Sequence, residues 1–361
     1  MSHLMKNYGR LPVSFDHGQG VWLWDKEGHK YLDALAGIAV NSVGHAHPRL
    51  VRAIADQASK LIHCSNYFNI DLQEQVAEKL VEHSGLEGVF FCNSGLEANE
   101  CAIKIARKFG HAKGIEVPNI IVLKHAFHGR SIATLSATGN PSVRADFSPY
   151  TEGFIFVDES DLDGIRKIVE ENKNVVAIFF EPILGEGGVV PIDLSVIKGI
   201  REICDEHDLL MMCDEVQCGM GRSGKWFAHQ WAEIKPDVIT MAKGLAGGVP
   251  VGAVIVSEKA NIFKPGNHGS TFGGNPLAMR AALETLSIIE DEKLVENALE
   301  VGKKLKKALS KSLNGFPGVR GIRGKGLMLG IVLVRDAHDI LELLQCHCRK
   351  RYSSRSRFDN H

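Results

Sequence analysis

The sequence predicts an α/β protein built on one large, mostly parallel sheet, and two observations carry that prediction. Between residues 86 and 256, short β-rich apolar runs alternate with amphipathic stretches long enough to be helices, which is the pattern of successive βαβ units. The runs are apolar on both of their faces, as in Val175–Phe180, which suits strands covered on each side by helices. With 361 residues, 44% of them hydrophobic, the chain can fill the core of one large domain or two smaller ones.

The elements follow in order. Val21–Trp24 and Tyr31–Leu32 flank Asp25-Lys26-Glu27-Gly28, a hairpin, and Pro48 opens a helix expected to reach about Ile62. Seven strands are expected in the sheet: Gly88–Cys92, Ile120–Leu123, Phe154–Val157, Val175–Phe180, Leu209–Cys213, Val238–Ala242 and Val251–Val256. Beyond it, Pro276–Glu290 and Lys293–Leu313 have helical spacing and Leu327–Val334 reads as a strand, a second and smaller α/β layer. The expected division is residues 1–48 as an N-terminal arm with part of a small domain, 49–275 as the large domain and 276–361 as the rest of the small domain.

Composition narrows the function. A formal charge of −1 argues against a basic nucleic-acid binder. The chain has no run of apolar residues long enough to span a bilayer, and Met1–Arg10 is too polar for the centre of a signal peptide. A cytoplasmic protein with no membrane partner is the expectation. The eight cysteines are scattered, several in apolar runs, and read as buried thiols of a reducing compartment. Cys346-His347-Cys348 has metal-ligand types but no second pair at zinc-site spacing, so no metal is expected.

Five stretches carry chemistry. Lys243 closes the strand Val238–Ala242 and faces the glycine-rich Gly244–Gly248. Ligands of open α/β sheets bind beyond the carboxyl ends of the strands, where a lysine amine can condense with an aldehyde cofactor; taken alone, a solvated loop lysine is the commoner case. The strand Leu209–Cys213 runs into Asp214-Glu215, and an acid there can ion-pair with a protonated ring nitrogen or merely cap a helix. Asn93-Ser94-Gly95-Leu96 leads from a strand into a helix, offering a hydroxyl, free amides and a helix dipole to an anion. Phe127-His128-Gly129-Arg130 offers a ring to stack and a fork for a carboxylate, with His128 read as a packing or hydrogen-bonding residue. His268–Pro276 supplies hydroxyls and flexible backbone ahead of a helix.

Together and in this order, these stretches resemble the class III aminotransferases, pyridoxal 5′-phosphate enzymes of fold type I. Leu35–Asn41, Gly44–Pro48, Ser270–Pro276 and Gly324–Gly330 bring the likeness nearest to the acetylornithine aminotransferases, with ornithine and succinylornithine aminotransferases as near neighbours. The resemblance implies that Lys243 carries the cofactor, that Asp214 partners its ring nitrogen, and that Gln217 contacts its phenolic oxygen. It implies further that Phe127 stacks on the ring and that Ser94, Gly95 and the Leu96 amide hold the phosphate, with Glu215 and Val216 in the cofactor's surroundings. Thr271 is implied to reach the cofactor of a second subunit, making the active unit a homodimer with shared sites. Ser270 is implied to lie beside substrate, Arg130 to take the remote carboxylate of acetylornithine, and Glu186 to pair with a second, C-terminal arginine. The co-substrate implied is 2-oxoglutarate. Two rivals stand beside this reading: another terminal-amine donor (ornithine, succinylornithine or succinyldiaminopimelate), or a non-catalytic remnant.

Two features depart from the family pattern. Leu96 and Leu184 stand where threonine or a small residue, and glutamine, are usual. Residues 345–361 carry no apolar periodicity and no recognisable second arginine, so a truncated or frame-shifted C-terminus and an incomplete small domain are expected.

Overall fold

In the computed structural model of the protein, residues 3–334 are described. The Cys346-His347-Cys348 cluster and the expected atypical tail lie outside the described residues.

The chain opens with a three-stranded antiparallel sheet, β1 (Phe15–Gln19), β2 (Trp22–Asp25) and β3 (Lys30–Leu32). The expected hairpin is β2–β3, and its turn is closed by Asp25, which accepts hydrogen bonds from the backbone N–H of Glu27 and His29 and from the Tyr31 hydroxyl. β1 was not foreseen, because it is mostly exposed and lacks an apolar alternation. Pro48 begins α1 (Pro48–Lys60), which stops two residues short of Ile62, and α2 (Asp71–Ser84) ends on left-handed Gly85.

The large sheet then alternates with its helices: β4 (Gly88–Cys92), α3 (Gly95–Ala112), β5 (Asn119–Leu123), α4 (Ile132–Ala137), β6 (Phe154–Val157), α5 (Leu162–Glu171) and β7 (Val175–Phe180). After the short antiparallel pair β8 (Ile183–Leu184) and β9 (Val190–Pro191) come α6 (Leu194–Glu206), β10 (Leu210–Asp214), β11 (Val238–Met241) and β12 (Gly252–Val256). The seven strands lie in the order β4-β12-β11-β10-β7-β5-β6, and β12 alone runs against the rest. All seven expected strands are present, with ends shifted by at most one residue.

Both faces of this sheet are covered, which explains the unbroken apolar runs. Ile120 and Val122 of β5 join a core built with α3, whereas their neighbours Ile121 and Leu123 point the other way, into a core built with α5 and α6. A third core lies under β11 and β12, where α1, α2 and α7 (Pro276–Asp291) pack together. Thus α7, at the start of the expected small domain, is packed within the same core as α1 and α2.

α8 (Leu294–Ser312) and the hairpin β13 (Val319–Lys325)–β14 (Met328–Leu333) form the smaller layer. The expected strand Leu327–Val334 is β14; β13 escaped notice because three of its seven residues are charged and two are glycine. The hairpin turn is seated between α8 and the Arg222–Gly224 loop. Leu327 N–H donates to the Arg222 carbonyl at 3.0 Å, and a Cβ on Gly302 would collide with the Gly326 carbonyl. Gly302→Ala should therefore force α8 off this turn. The expected result is a loss of about 1–3 kcal/mol, read as a lower thermal midpoint together with faster proteolysis between residues 313 and 330. An unchanged midpoint and cleavage pattern would show that helix and turn are not in such close contact.

Candidate active site

Every parallel strand points its carboxyl end toward the same side, so the loops that follow β4, β5, β7, β10 and β11 converge. Between them lies a cavity of about 390 Å³. Four of the five stretches expected to carry chemistry sit at these strand ends, while His268–Pro276 follows β12.

Asp214 ends β10, in the middle of the sheet, and is only 3% exposed. Its Oδ2 accepts from Asn99 Nδ2 at 2.8 Å and lies 2.8 Å from His128 Nδ1, while Oδ1 accepts the Val216 N–H at 3.0 Å. Because an ionised carboxylate can only accept, the His128 ring donates through Nδ1. That ring is stacked on Phe179, with centroids 4.1 Å apart, and Asn99 Nδ2 also donates to the His128 carbonyl at 2.7 Å. His128 Nε2 and Asn99 Oδ1 are buried and have no hydrogen-bond partner among the described residues.

On the neighbouring strand, Lys243 follows β11 by two residues and lines the same cavity. Its φ is +41°. A non-glycine residue held left-handed costs of order 1 kcal/mol, and such strain gathers at functional positions.

The third contribution comes from the start of α3. Ser94 is its N-cap, accepting the Glu97 N–H at 3.2 Å, and Glu97 in turn accepts the Asn93 N–H at 2.5 Å. The first-turn amides of Gly95 and Leu96 have no intrahelical acceptor and carry the positive end of the helix dipole to the cavity wall. Gly95 is sterically required: a Cβ there would lie 2.6 Å from a Val216 methyl.

Phe127, Val216, Gln217, Arg130 and Glu186 also line the cavity. The Arg130 guanidinium lies 5.7 Å from the Phe127 ring centroid and is exposed, as is Glu186. Glu181, at the end of β7, is a wall residue that the sequence reading passed over. Burial, and after it the charge of Asp214, pushes its carboxyl up to about 8.

Three expected site residues lie elsewhere. Glu215 turns away from the cavity: its buried carboxylate accepts the N–H groups of Ala228 and His229, both at 2.8 Å, and lies 3.0 Å from His229 Nδ1. Alternation sends consecutive strand-end residues to opposite sides, so only Asp214 of the pair can face the cavity. Ser270 and Thr271 line a neighbouring cavity of about 320 Å³ instead. Ser270 still touches the first site indirectly, through Asn93 Nδ2 at 3.2 Å.

Asn99 went unrecognised in the sequence, although a polar residue beside Ala98, Cys101 and Ala102 on the buried stripe of α3 was a usable signal. The Asp214 arrangement predicts strong coupling. His128→Ala leaves a buried carboxylate short of a partner and should cost about 3–5 kcal/mol in denaturant unfolding. The same substitution in an Asp214→Asn background should cost much less. Additive losses in this double-mutant cycle would dissolve the proposed pair.

Known proteins resemble this arrangement over nearly the whole chain. The Aminotransferase class-III family matches residues 4–347. The acetylornithine aminotransferase of Nitrosomonas europaea is 54% identical over 334 residues, 92% of this chain and 85% of that one. That of Aquifex aeolicus is 46% identical, covering 96% of this chain and 90% of its own. Among solved structures, the ornithine aminotransferase of Toxoplasma gondii has a TM-score of 0.89 at 35% identity, over 93% of this chain and 80% of that one. The acetylornithine aminotransferase of Elizabethkingia anophelis has a TM-score of 0.81 at 36% identity, over 92% and 82%. With family, relatives and fold in agreement, the chain belongs to the class-III aminotransferases, pyridoxal-phosphate enzymes of fold type I.

Proposed function

We propose that the protein transfers the terminal amine of N2-acetyl-L-ornithine to 2-oxoglutarate, giving N-acetyl-L-glutamate 5-semialdehyde and L-glutamate, a step of arginine biosynthesis. The observation that carries this reading is the convergence of Lys243, buried Asp214 and the start of α3 on one cavity, in a chain about half identical to several acetylornithine aminotransferases.

The residues present fit pyridoxal 5′-phosphate. The close approach of Gly95 to Val216 leaves the helix amides bare for a phosphate, and a buried carboxylate lies across the same cavity from them. Ser94, Gly95 and Leu96 would hold the phosphate, Phe127 would cover the ring, Gln217 would meet its phenolic oxygen, and Asp214 would face its nitrogen. When bound, the cofactor supplies an aldehyde for the donor's amine and a ring that accepts electrons from the reacting carbon.

The chain's own groups do the rest. Asp214, whose oxygens are oriented by His128, Asn99 and the Val216 N–H, would favour a proton on the ring nitrogen that faces it. Lys243, on a short strained turn, takes the proton from the donor's amine-bearing carbon and returns it. Arg130 at the exposed mouth binds the donor's α-carboxylate, which lies far from the reacting amine. Glu186 lies at the same mouth and serves the substrate side.

We further propose a homodimer with shared sites, in which Thr271 serves the partner's cavity. The position of Thr271 outside its own cavity supports this. So does an exposed apolar surface beside it, with Tyr67 at 94%, Phe68 at 70% and Phe272 at 59% exposure.

A coupled assay with acetylornithine and 2-oxoglutarate, run against ornithine and succinylornithine as competing donors, tests the reading through relative kcat/KM. Acetylornithine should be preferred. Lys243→Ala should lose both turnover and the visible absorbance of the cofactor-bound protein, and an unchanged spectrum would remove the central assignment. Arg130→Lys replaces a bidentate fork by a point charge and should lower kcat/KM for acetylornithine by roughly ten- to a thousandfold. Unaltered kinetics would mean that another residue holds the carboxylate.

A further inference from the structure

Glu181 follows β7 in the centre of the sheet and is 5% exposed. Each of its two carboxylate oxygens takes one backbone N–H: Oε1 accepts from Phe127 at 2.9 Å and Oε2 from Gly185 at 3.0 Å. Those donors belong to different loops, and the loops touch. A Cβ on Gly187 would lie 2.8 Å from the His125 carbonyl, and one on Gly185 would lie 2.7 Å from the side-chain amide of Gln217. The turn from Gly185 to Gly188 is closed by its own 3.0 Å hydrogen bond. Its far end is fixed by the Arg323 guanidinium, which donates twice to the Gly188 carbonyl, at 2.9 and 2.7 Å.

We infer that Glu181 is a positioning residue, whose paired carboxylate oxygens hold the Phe127–Arg130 loop and the Gly185–Gly188 turn in register across the cavity. Phe127, Arg130, Glu186 and, by contact, Gln217 are set through it. The consequence for substrate rests on the reading of these residues given above; the clamp itself does not.

The chemistry demands a carboxylate. Two N–H donors need two acceptor oxygens, and a glutamine offers one oxygen and one competing N–H group. A side chain present only to fill space would be better apolar, since burying a charge beside Asp214 is unfavourable. The charged and titratable groups facing Glu181 are Asp214 at the end of β10, Lys243 after β11 and the Cys218 thiol. Burial and Asp214 raise the Glu181 carboxyl, while the two N–H bonds and Lys243 oppose them. The second acceptor is therefore gained as pH rises through the raised value and lost as pH falls below it.

Hydrogen exchange by mass spectrometry on the cofactor-loaded protein, following peptides that contain Phe127 and Gly185 from pH 6.5 to 9, tests the clamp. Near pH 9, above the raised value, Glu181→Gln should speed exchange at one of the two amides at least about tenfold, and Glu181→Ala at both. Corrected for intrinsic rates, protection in the wild type should grow with pH and stay flat in the variants. The donor KM should rise severalfold with a smaller change in kcat, and the cofactor absorbance should persist.

Exchange and KM in Glu181→Gln equal to wild type near pH 9 would overturn the inference. If Glu181→Ala does not fold, the glutamine variant and the wild-type pH series decide by themselves. A wild type that transaminates none of the donors would sink the proposed function instead, while the exchange comparison would still decide Glu181.

Discussion

The buried carboxylate of Asp214 ties together the elements that build the cavity. Asp214 sits at the end of the central strand β10, where an unpartnered carboxylate would be expensive to keep charged. The cost is offset by three hydrogen-bond donors drawn from three segments: Asn99 inside α3, His128 after β5 and the Val216 amide just beyond Asp214 itself. Satisfying Asp214 therefore fixes where α3 lies against the sheet and how the chain leaves β5. It also orders neighbours in turn, since His128 is stacked on Phe179 of β7 and its carbonyl is held by Asn99.

A second carboxylate repeats this device one strand away. Glu181 at the end of β7 spends both oxygens on backbone N–H groups of flanking loops, as Asp214 spends its own on α3, β5 and β10. Asp214 lies close enough for its charge to push the Glu181 carboxyl upward, after burial itself. The site is thus framed by backbone held to buried carboxyl groups, which is more rigid than a frame of surface side chains and leaves Lys243, Arg130 and the α3 amides facing the cavity. Glycines complete the frame where a side chain would not fit, as at Gly95 against Val216 and Gly187 against the His125 carbonyl.

Much of this was legible in the sequence because the signals are local. A strand buried on both faces shows as an unbroken apolar run, and a ligand site at its carboxyl end shows as an abrupt change to Asp214, to Lys243 or to Ser94-Gly95. What escaped had no local signature. β1 and β13 are exposed or interrupted by charges and glycines, so their pairing comes from the neighbouring strand rather than from their own pattern. Asn99 and Glu181 matter through partners 115 and 54 residues away. Ser270, expected beside substrate, lies in a second cavity next to the first.

The sequence by itself determined the sheet, its seven strands, the cavity's position at their carboxyl ends, and Lys243 and Asp214 as residues at those ends, because hydrophobic period and strand-end chemistry are properties of short segments. Only the tertiary structure decided which member of Asp214-Glu215 faces the cavity, since that depends on the side to which the pleat turns each residue. Only it decided that α7 packs with α1 and α2, and that a glutamate at the end of β7 holds two loops together. Such facts are contacts between segments distant along the chain. They exist only once the sheet has brought the strand ends together.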